Sequence, residues 1–153
     1  MCYWKCCSRM QVFIVGSPLE TAMALDTKRL NRQIQETKVI LAALNGAKAW
    51  SNHPCVLQYR GYEFWLRCYK RVLENVQYGV KDSIVCKYND YRAREATPDW
   101  HTQEYYDQMK RRLYTKNPEH YKQWADLGES QEDWYWSQEQ GEWRKYVNGK
   151  RVE

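Results

Sequence analysis

No apolar run in this 153-residue chain approaches the roughly 20 residues that a membrane-spanning helix needs, and no hydrophobic core follows Met1 to suggest a secretory leader. Internal repeats and low-complexity linkers are missing as well. That excludes solenoids and tethered arrays, and one compact domain is the economical expectation at this length. Histidine is scarce, with 3 in the chain, and none stands with cysteine at finger-like spacing, so neither a metal nor another cofactor is expected. The six cysteines make no disulfide framework. Cys2, Cys6 and Cys7 crowd the start, while Cys55, Cys68 and Cys86 lie singly among apolar or helical neighbours, as buried thiols do in a reducing, cytoplasmic setting.

Phenylalanine is nearly absent: 2 residues against 13 tyrosines and 8 tryptophans. Amphipathic rings suit wet interfaces and base stacking, and they can equally build a small core. The formal charge of +5 is unevenly spread. Residues 1–118 hold 19 basic and 11 acidic side chains, and residues 119–153 hold 5 and 8. A basic body attracts a polyanion such as duplex DNA or a nucleotide, although an excess of this size also fits an ordinary solvated surface.

The first nine residues, MCYWKCCSR, differ in character from the rest of the chain, so residues 1–9 read as an extension and Met10 as a candidate internal start. Residues 11–15 form a short apolar run with at most marginal strand character. Ser17-Pro18 marks a helix entry, and a helix is expected from Leu19 to Leu44 with a break near Asp26. Leu30, Ile34, Leu41 and Leu44 make its core stripe, and Asn45-Gly46 ends it. Residues 47–61 read as a connection. Tyr62, Trp65, Leu66, Tyr69, Val72, Leu73 and Val76 define a second amphipathic helix stopped by Gly79. A shorter helix is expected over 82–93 from Ile84, Val85 and Tyr88. Another runs from Gln103 to Thr115 with Tyr106, Met109 and Leu113 on one face, ended by Asn117-Pro118. The expected class is mainly α: a helical domain over 10–124 and a Trp-rich tail over 125–153 that packs on it, with Ser130 and Asp133 as a capping box before Trp134.

On a 3.6-residue helix Arg29, Gln33, Glu36 and Ile40 share one flank beside the core stripe, with Arg32 four residues before Glu36. Glu36 is thus a partly covered carboxylate between two guanidinium groups. That pattern suits chemistry on a phosphate-bearing substrate, and it suits a plain i,i+4 ion pair just as well. His53 in Asn-His-Pro serves either as acid/base or phosphate donor, or as a residue that fixes its own loop. Arg60 before Gly61 is a phosphate contact or a cap neighbour. Arg112 and Lys116, in a cluster with Lys110 and Arg111, form a two-point phosphate clamp or a solvated face. In the tail, Trp134, Tyr135, Trp136, Trp143 and Tyr146 suit base stacking, but the acidic residues among them argue against backbone contact. Trp134 and Trp136 read rather as packing on the body, while Lys145, Lys150 and Arg151 could touch phosphate.

Four motifs occur in order: Leu25-Asp26-x-Lys28-Arg29-Leu30-x-x-Gln33-x-x-Glu36, Ala49-Trp50-x-Asn52-His53-Pro54, Tyr59-Arg60-Gly61-Tyr62, and Lys116-Asn117-Pro118-Glu119-His120-Tyr121. Together they resemble the pyrimidine-dimer DNA glycosylase (endonuclease V) family, in particular its bacterial and phage branch. The resemblance implies a compact helical protein that works without a metal. Its N-terminal amine attacks the sugar C1′ to form a Schiff base, and a helix glutamate supports base loss and strand cleavage. It places Glu36 at that glutamate and Arg29 at a DNA contact. Lys28, Arg32, Gln33, Asn52 and Arg60 join Arg112 and Lys116 as nucleic-acid or nucleotide contacts, and the amine belongs to Met10 or Gln11. The family's amine sits on a small residue, whereas Gln11 is bulky. Damaged duplex DNA is therefore the expected partner. The alternatives are a pocket for a free or signalling nucleotide and an interaction protein that keeps only the fold. The oligomeric state is left open by the sequence.

Overall fold

The computed structural model describes residues 10–128, 134–137 and 139–145. The extension over 1–9, the capping box at Ser130 and Asp133, and Tyr146, Lys150 and Arg151 lie outside the described residues. The chain divides into two compact units at Pro98; the first is mostly helical in its described part, and the second combines a helix with a 3₁₀ turn and a hairpin.

In the first unit, α1 spans Pro18–Ala24 and α2 Thr27–Leu44. The break falls at Leu25, whose extended backbone (φ −67°, ψ 138°) caps α1 before Asp26 opens α2. Ser17 starts α1 with a full capping box: its hydroxyl accepts from Glu20 N–H, and the Glu20 carboxylate accepts from Ser17 N–H. Residues 47–61 are not wholly a connection, because Pro54–Gln58 forms a short helix, α3. Pro54 is preset for a first turn and His53 caps it, two local signals that outweigh the loop-like composition around them. α4 spans Glu63–Gln77 and α5 Ile84–Glu95. α2 and α4 both end in a Schellman turn. Ala47 N–H reaches Ala42 O around Gly46 (φ +104°), and Val80 N–H reaches Asn75 O around Gly79 (φ +78°).

α4 is the central helix and packs against α1, α2 and α5. Its Trp65, Leu66, Tyr69, Val72 and Leu73 are fully buried with Ile14, Ile34, Ile40, Val56 and Tyr59. The rings of Tyr59, Trp65 and Tyr69 stack in series, with centroids 5.4 and 5.0 Å apart. The helix expected over 82–93 is present, but its orientation differs from the expectation. Ile84, Val85 and Tyr88 face solvent, while Cys86, Asp90 and Ala93 face the core. The inward residues are small or anchored. Asp90 accepts from Leu19 N–H at 2.8 Å and so caps the N-terminus of α1 across the unit, a position that favours a carboxylate. Cys55, Cys68 and Cys86 are buried free thiols, as expected.

The second unit holds α6 (Gln103–Lys116), a 3₁₀ turn (Lys122–Leu127) and a hairpin of β1 (Trp134–Ser137) with β2 (Glu142–Lys145). The antiparallel register pairs Trp136 with Trp143. Ser137 O accepts from Gly141 N–H (φ +66°), and the Ser137 hydroxyl accepts from Gln140 N–H. The Trp-rich tail thus contributes a short hairpin to an otherwise mainly helical protein. Met109 and Leu113 are buried as read from the sequence, with Tyr105 rather than Tyr106 as the third core residue of α6. In the fourth motif the Asn117 side chain accepts from His120 N–H, and Tyr121 is fully buried against Trp124, rings 5.3 Å apart. Within its own unit this motif is a packed turn.

Burial pushes the His101 imidazole down to about pKa 3 from an ordinary 6.5, so it is neutral in the fold at physiological pH. An unfolded chain takes up a proton there below pH 6.5 and the folded one does not. Stability carried by neutral His101 is complete above 6.5 and is lost as pH falls toward 3, by up to about 1.4 kcal/mol per pH unit. Urea midpoints followed by tryptophan fluorescence should fall across this window in the parent chain, with a shallower slope in His101→Phe. Equal slopes would remove His101 from the acid response.

Candidate functional site: a backbone nitrogen held against Glu36

Residues 11–15 are neither helix nor strand and pair with no strand among the described residues. Buried peptide groups need partners, and here side chains from the helices supply them. Phe13 N–H donates to Gln33 Oε1 at 2.6 Å, and Gln33 Nε2 donates back to Gln11 O at 2.8 Å. The Gln33 amide thus imitates one rung of a sheet. Phe13 O accepts from the Tyr69 hydroxyl, and Val15 N–H donates to Thr21 Oγ1 at 3.0 Å. Met10 O accepts from the Cys55 thiol. The remaining bond is the chemically suggestive one: Gln11 N–H donates to Glu36 Oε2 at 2.7 Å.

Glu36 carries two roles with its two oxygens. Oε1 pairs with Arg32 Nε at 3.2 Å, the i,i+4 contact expected from spacing, and Oε2 holds the Gln11 nitrogen. Its side chain is 15% exposed against 48% for Arg32, so the pair sits at the edge of the interior. Burial raises the Glu36 pKa above its ordinary value, and the Gln11 N–H bond together with the positive charges of Arg32 and Arg29 pull against that shift. The result is a partly buried carboxyl whose pKa stays raised despite those contacts and which remains reachable from solvent.

Of the other residues singled out from the sequence, Lys28, Arg32, Asn52 and Arg60 are exposed and Arg29 is half-buried. Gln33 is 2% exposed and holds the backbone of residues 11 and 13, so a surface contact to nucleic acid is corrected to an internal brace. A polar residue on the flank of an amphipathic stripe gives no sign of burial. Only the unpartnered backbone of 11–15 could have signalled it. His53 is buried, and its Nδ1 accepts from Cys55 N–H as the N-cap of α3, the loop-fixing option of the two left open. Its loop still belongs to the site, because Cys55 bonds Met10 O one residue before Gln11. Arg112 and Lys116 lie on α6 in the second unit, half-buried and exposed. Two of their neighbours are engaged there, Arg111 donating to Leu127 O and Lys110 lying over the Trp124 ring.

The second unit also has an open aromatic hollow of about 580 Å³, lined by Trp100, Thr102, Gln103, Glu104, Tyr105 and Trp143. It contains none of the residues around Glu36. Among the described residues no cluster of three or more His, Cys, Asp or Glu could hold a metal ion, and no helix is long and apolar enough to cross a membrane.

The first unit is thus a largely helical body that clamps a backbone segment onto a partly buried helix glutamate. Residues 10–76 match the family model described as pyrimidine dimer DNA glycosylase, and the resemblance carried by the first three motifs holds over that stretch. It spans the clamped segment, Glu36 and the Asn-His-Pro loop. No curated protein and no solved structure matches the chain.

Gln33 offers a direct test of the clamp. Gln33→Leu leaves Phe13 N–H and Gln11 O buried without their partner and should cost about 2–4 kcal/mol. Tyr69→Phe removes one hydroxyl and should cost about 1 kcal/mol. Denaturant titrations of both variants measure this, and a Gln33→Leu chain as stable as Tyr69→Phe would contradict the brace.

Proposed function

We propose that the first unit acts on damaged duplex DNA as an N-glycosylase with associated lyase activity, using the main-chain nitrogen of residue 11 as nucleophile and Glu36 as its carboxyl partner. The observation that carries this reading is the 2.7 Å contact between Gln11 N and Glu36 Oε2, inside the stretch matched by the pyrimidine dimer DNA glycosylase family. In a chain whose terminus is Gln11, that nitrogen is an α-amine with an ordinary pKa near 8, so a useful fraction is neutral and nucleophilic. Its lone pair forms the bond to C1′ as the glycosidic bond breaks, and the bond pair leaves with the base, which takes up a proton. Loss of a proton from nitrogen and opening of the sugar give the Schiff base. A second proton loss, from C2′, then expels the 3′ phosphate. A carboxyl beside that nitrogen would receive and return these protons, and the raised pKa of Glu36 suits that duty. Exposed Lys28, Arg32, Asn52 and Arg60, with half-buried Arg29, would meet phosphates, and a lesion lowers the cost of extruding the base. A cytoplasmic setting and duplex DNA as partner belong to the same proposal.

Geometry favours residue 11 over residue 10. Met10 is buried with its carbonyl bonded to Cys55, and one added residue displaces a terminal amine by up to about 3.5 Å. A chain cut immediately before Gln11 should therefore be trapped on abasic duplex DNA by borohydride, with much less trapping for chains beginning at Met10 or Met1. Terminal glutamine can close to a lactam that has no nucleophilic amine, so Gln11→Thr in the same frame is the second arm. Absence of trapping in every form would discard the amine mechanism and leave a nucleotide pocket as the better reading. Equal trapping in all would point to a lysine such as Lys28. Duplex binding also calls for a steep salt dependence.

Glu36→Gln should abolish trapping and strand cleavage while keeping the fold, because the amide oxygen still accepts from Gln11 N–H. The raised pKa means the folded chain binds a proton more readily than the unfolded one, so Glu36 lowers stability as pH rises from about 4.5 through its folded value. Above that window Glu36→Gln should be at least as stable as the parent, and below it the advantage should vanish. Turnover by Glu36→Gln on irradiated duplex equal to that of the parent would refute the assignment.

A further inference from the structure

Among the described residues, Trp50 is the one non-glycine with a positive φ, +67°. A bulky side chain in the left-handed region crowds its own carbonyl, and this residue is also 46% exposed. Strain and exposure of a large ring coincide at one position. Trp50 is wired to the site by direct contacts. His53 N–H donates to Trp50 O at 2.9 Å, and the two rings meet in a T-shaped contact with centroids 5.6 Å apart. His53 Nδ1 accepts from Cys55 N–H, the Cys55 thiol bonds Met10 O, and the next nitrogen along the chain is the one on Glu36. Exposed Asn52 lies two residues from Trp50, and half-buried Arg29 shares the flank of Glu36.

We infer that Trp50 is a stacking ledge for a nucleobase at the mouth of this site, taking the π-face of a base freed from the duplex beside the reacting sugar or of its unpaired partner. The inference rests on the nucleic-acid reading above. A base face is the ligand class that an exposed indole recognises without regard to sequence. Held strained on a loop that His53 and Cys55 anchor, the ring stands away from the core, where a base can reach it.

The test separates this role from a structural one by setting stability against binding. Glycine is at ease at φ +67°, so Trp50→Gly should melt at or above the parent temperature, by up to a few degrees, yet bind abasic duplex about tenfold or more weaker. Trp50→Phe keeps a π-face and should retain most of the affinity, whereas Trp50→Leu keeps the backbone strain without the ring and should bind as poorly as Trp50→Gly. A 2-aminopurine opposite or next to the abasic site should be quenched by the full chain and by Trp50→Phe, and stay bright with Trp50→Leu. The inference is overturned if Trp50→Gly binds as the parent does, if Trp50→Leu matches Trp50→Phe, or if binding falls only in step with a lowered melting temperature. A parent chain that fails to bind the duplex at all overturns the nucleic-acid reading itself, and the ledge with it.

Discussion

Residues 12–15 are buried, and the run from residue 11 has neither helical bonds nor a neighbouring strand among the described residues; that constraint organises the first unit. Peptide groups out of water need partners, and leaving one unmade costs more than making it gains. Gln33 and Glu36 on α2, Thr21 on α1 and Tyr69 on α4 make the bonds. Each of those side chains must therefore face the segment, and this sets the rotation of all three helices. A sheet would have allowed the segment to slip by a residue. Four side chains of different length and polarity do not, so the nitrogen that meets Glu36 is specified as residue 11.

In this arrangement Glu36 is more than a plain i,i+4 ion pair, because its second oxygen holds the Gln11 nitrogen. The Arg32 pair on its own would be a surface contact worth a few tenths of a kcal/mol. Burial makes the carboxylate harder to maintain, and the pair together with the Gln11 N–H bond counteracts that. The guanidinium thus keeps an ionisable group serviceable at the edge of the core, a requirement for any proton-transferring carboxyl.

Much of this architecture is legible in the residues alone. Periodicity places α2 and α4, the Ser17-Pro18 entry and the Gly46 and Gly79 stops are local chemistry, and the spacing of Arg29, Arg32 and Glu36 marks the flank where the segment docks. Other features are tertiary and leave no local trace. Gln33 looks like any polar flank residue until a naked peptide lies opposite it. α5 turns Ile84 and Tyr88 outward because Asp90 must reach the first turn of α1, and that partner is 71 residues away in sequence. The hairpin of strands 134–137 and 142–145 is hidden because its mixture of aromatic and charged residues shows no clean period-2 alternation. Its pairing depends on a glycine at φ +66° that composition alone does not single out.

The motifs that carry the family resemblance divide by physics into holders and presenters. Gln33, His53 and Tyr59 are buried and spend their polar atoms or ring faces on the protein itself, whereas Lys28, Arg32, Asn52 and Arg60 sit in the same motifs and face water. A motif spaced for helix geometry must contain both kinds, since neighbouring positions on a helix or a tight turn point in different directions. Tyr69 connects the two sets. Its ring closes the Tyr59–Trp65–Tyr69 stack and its hydroxyl holds Phe13 O, so the rigidity of the aromatic core is transmitted to the segment that presents the nitrogen. The stack and the hold on Phe13 O share that one phenol, so a change at Tyr69 reaches both the aromatic core and the segment that lies against Glu36.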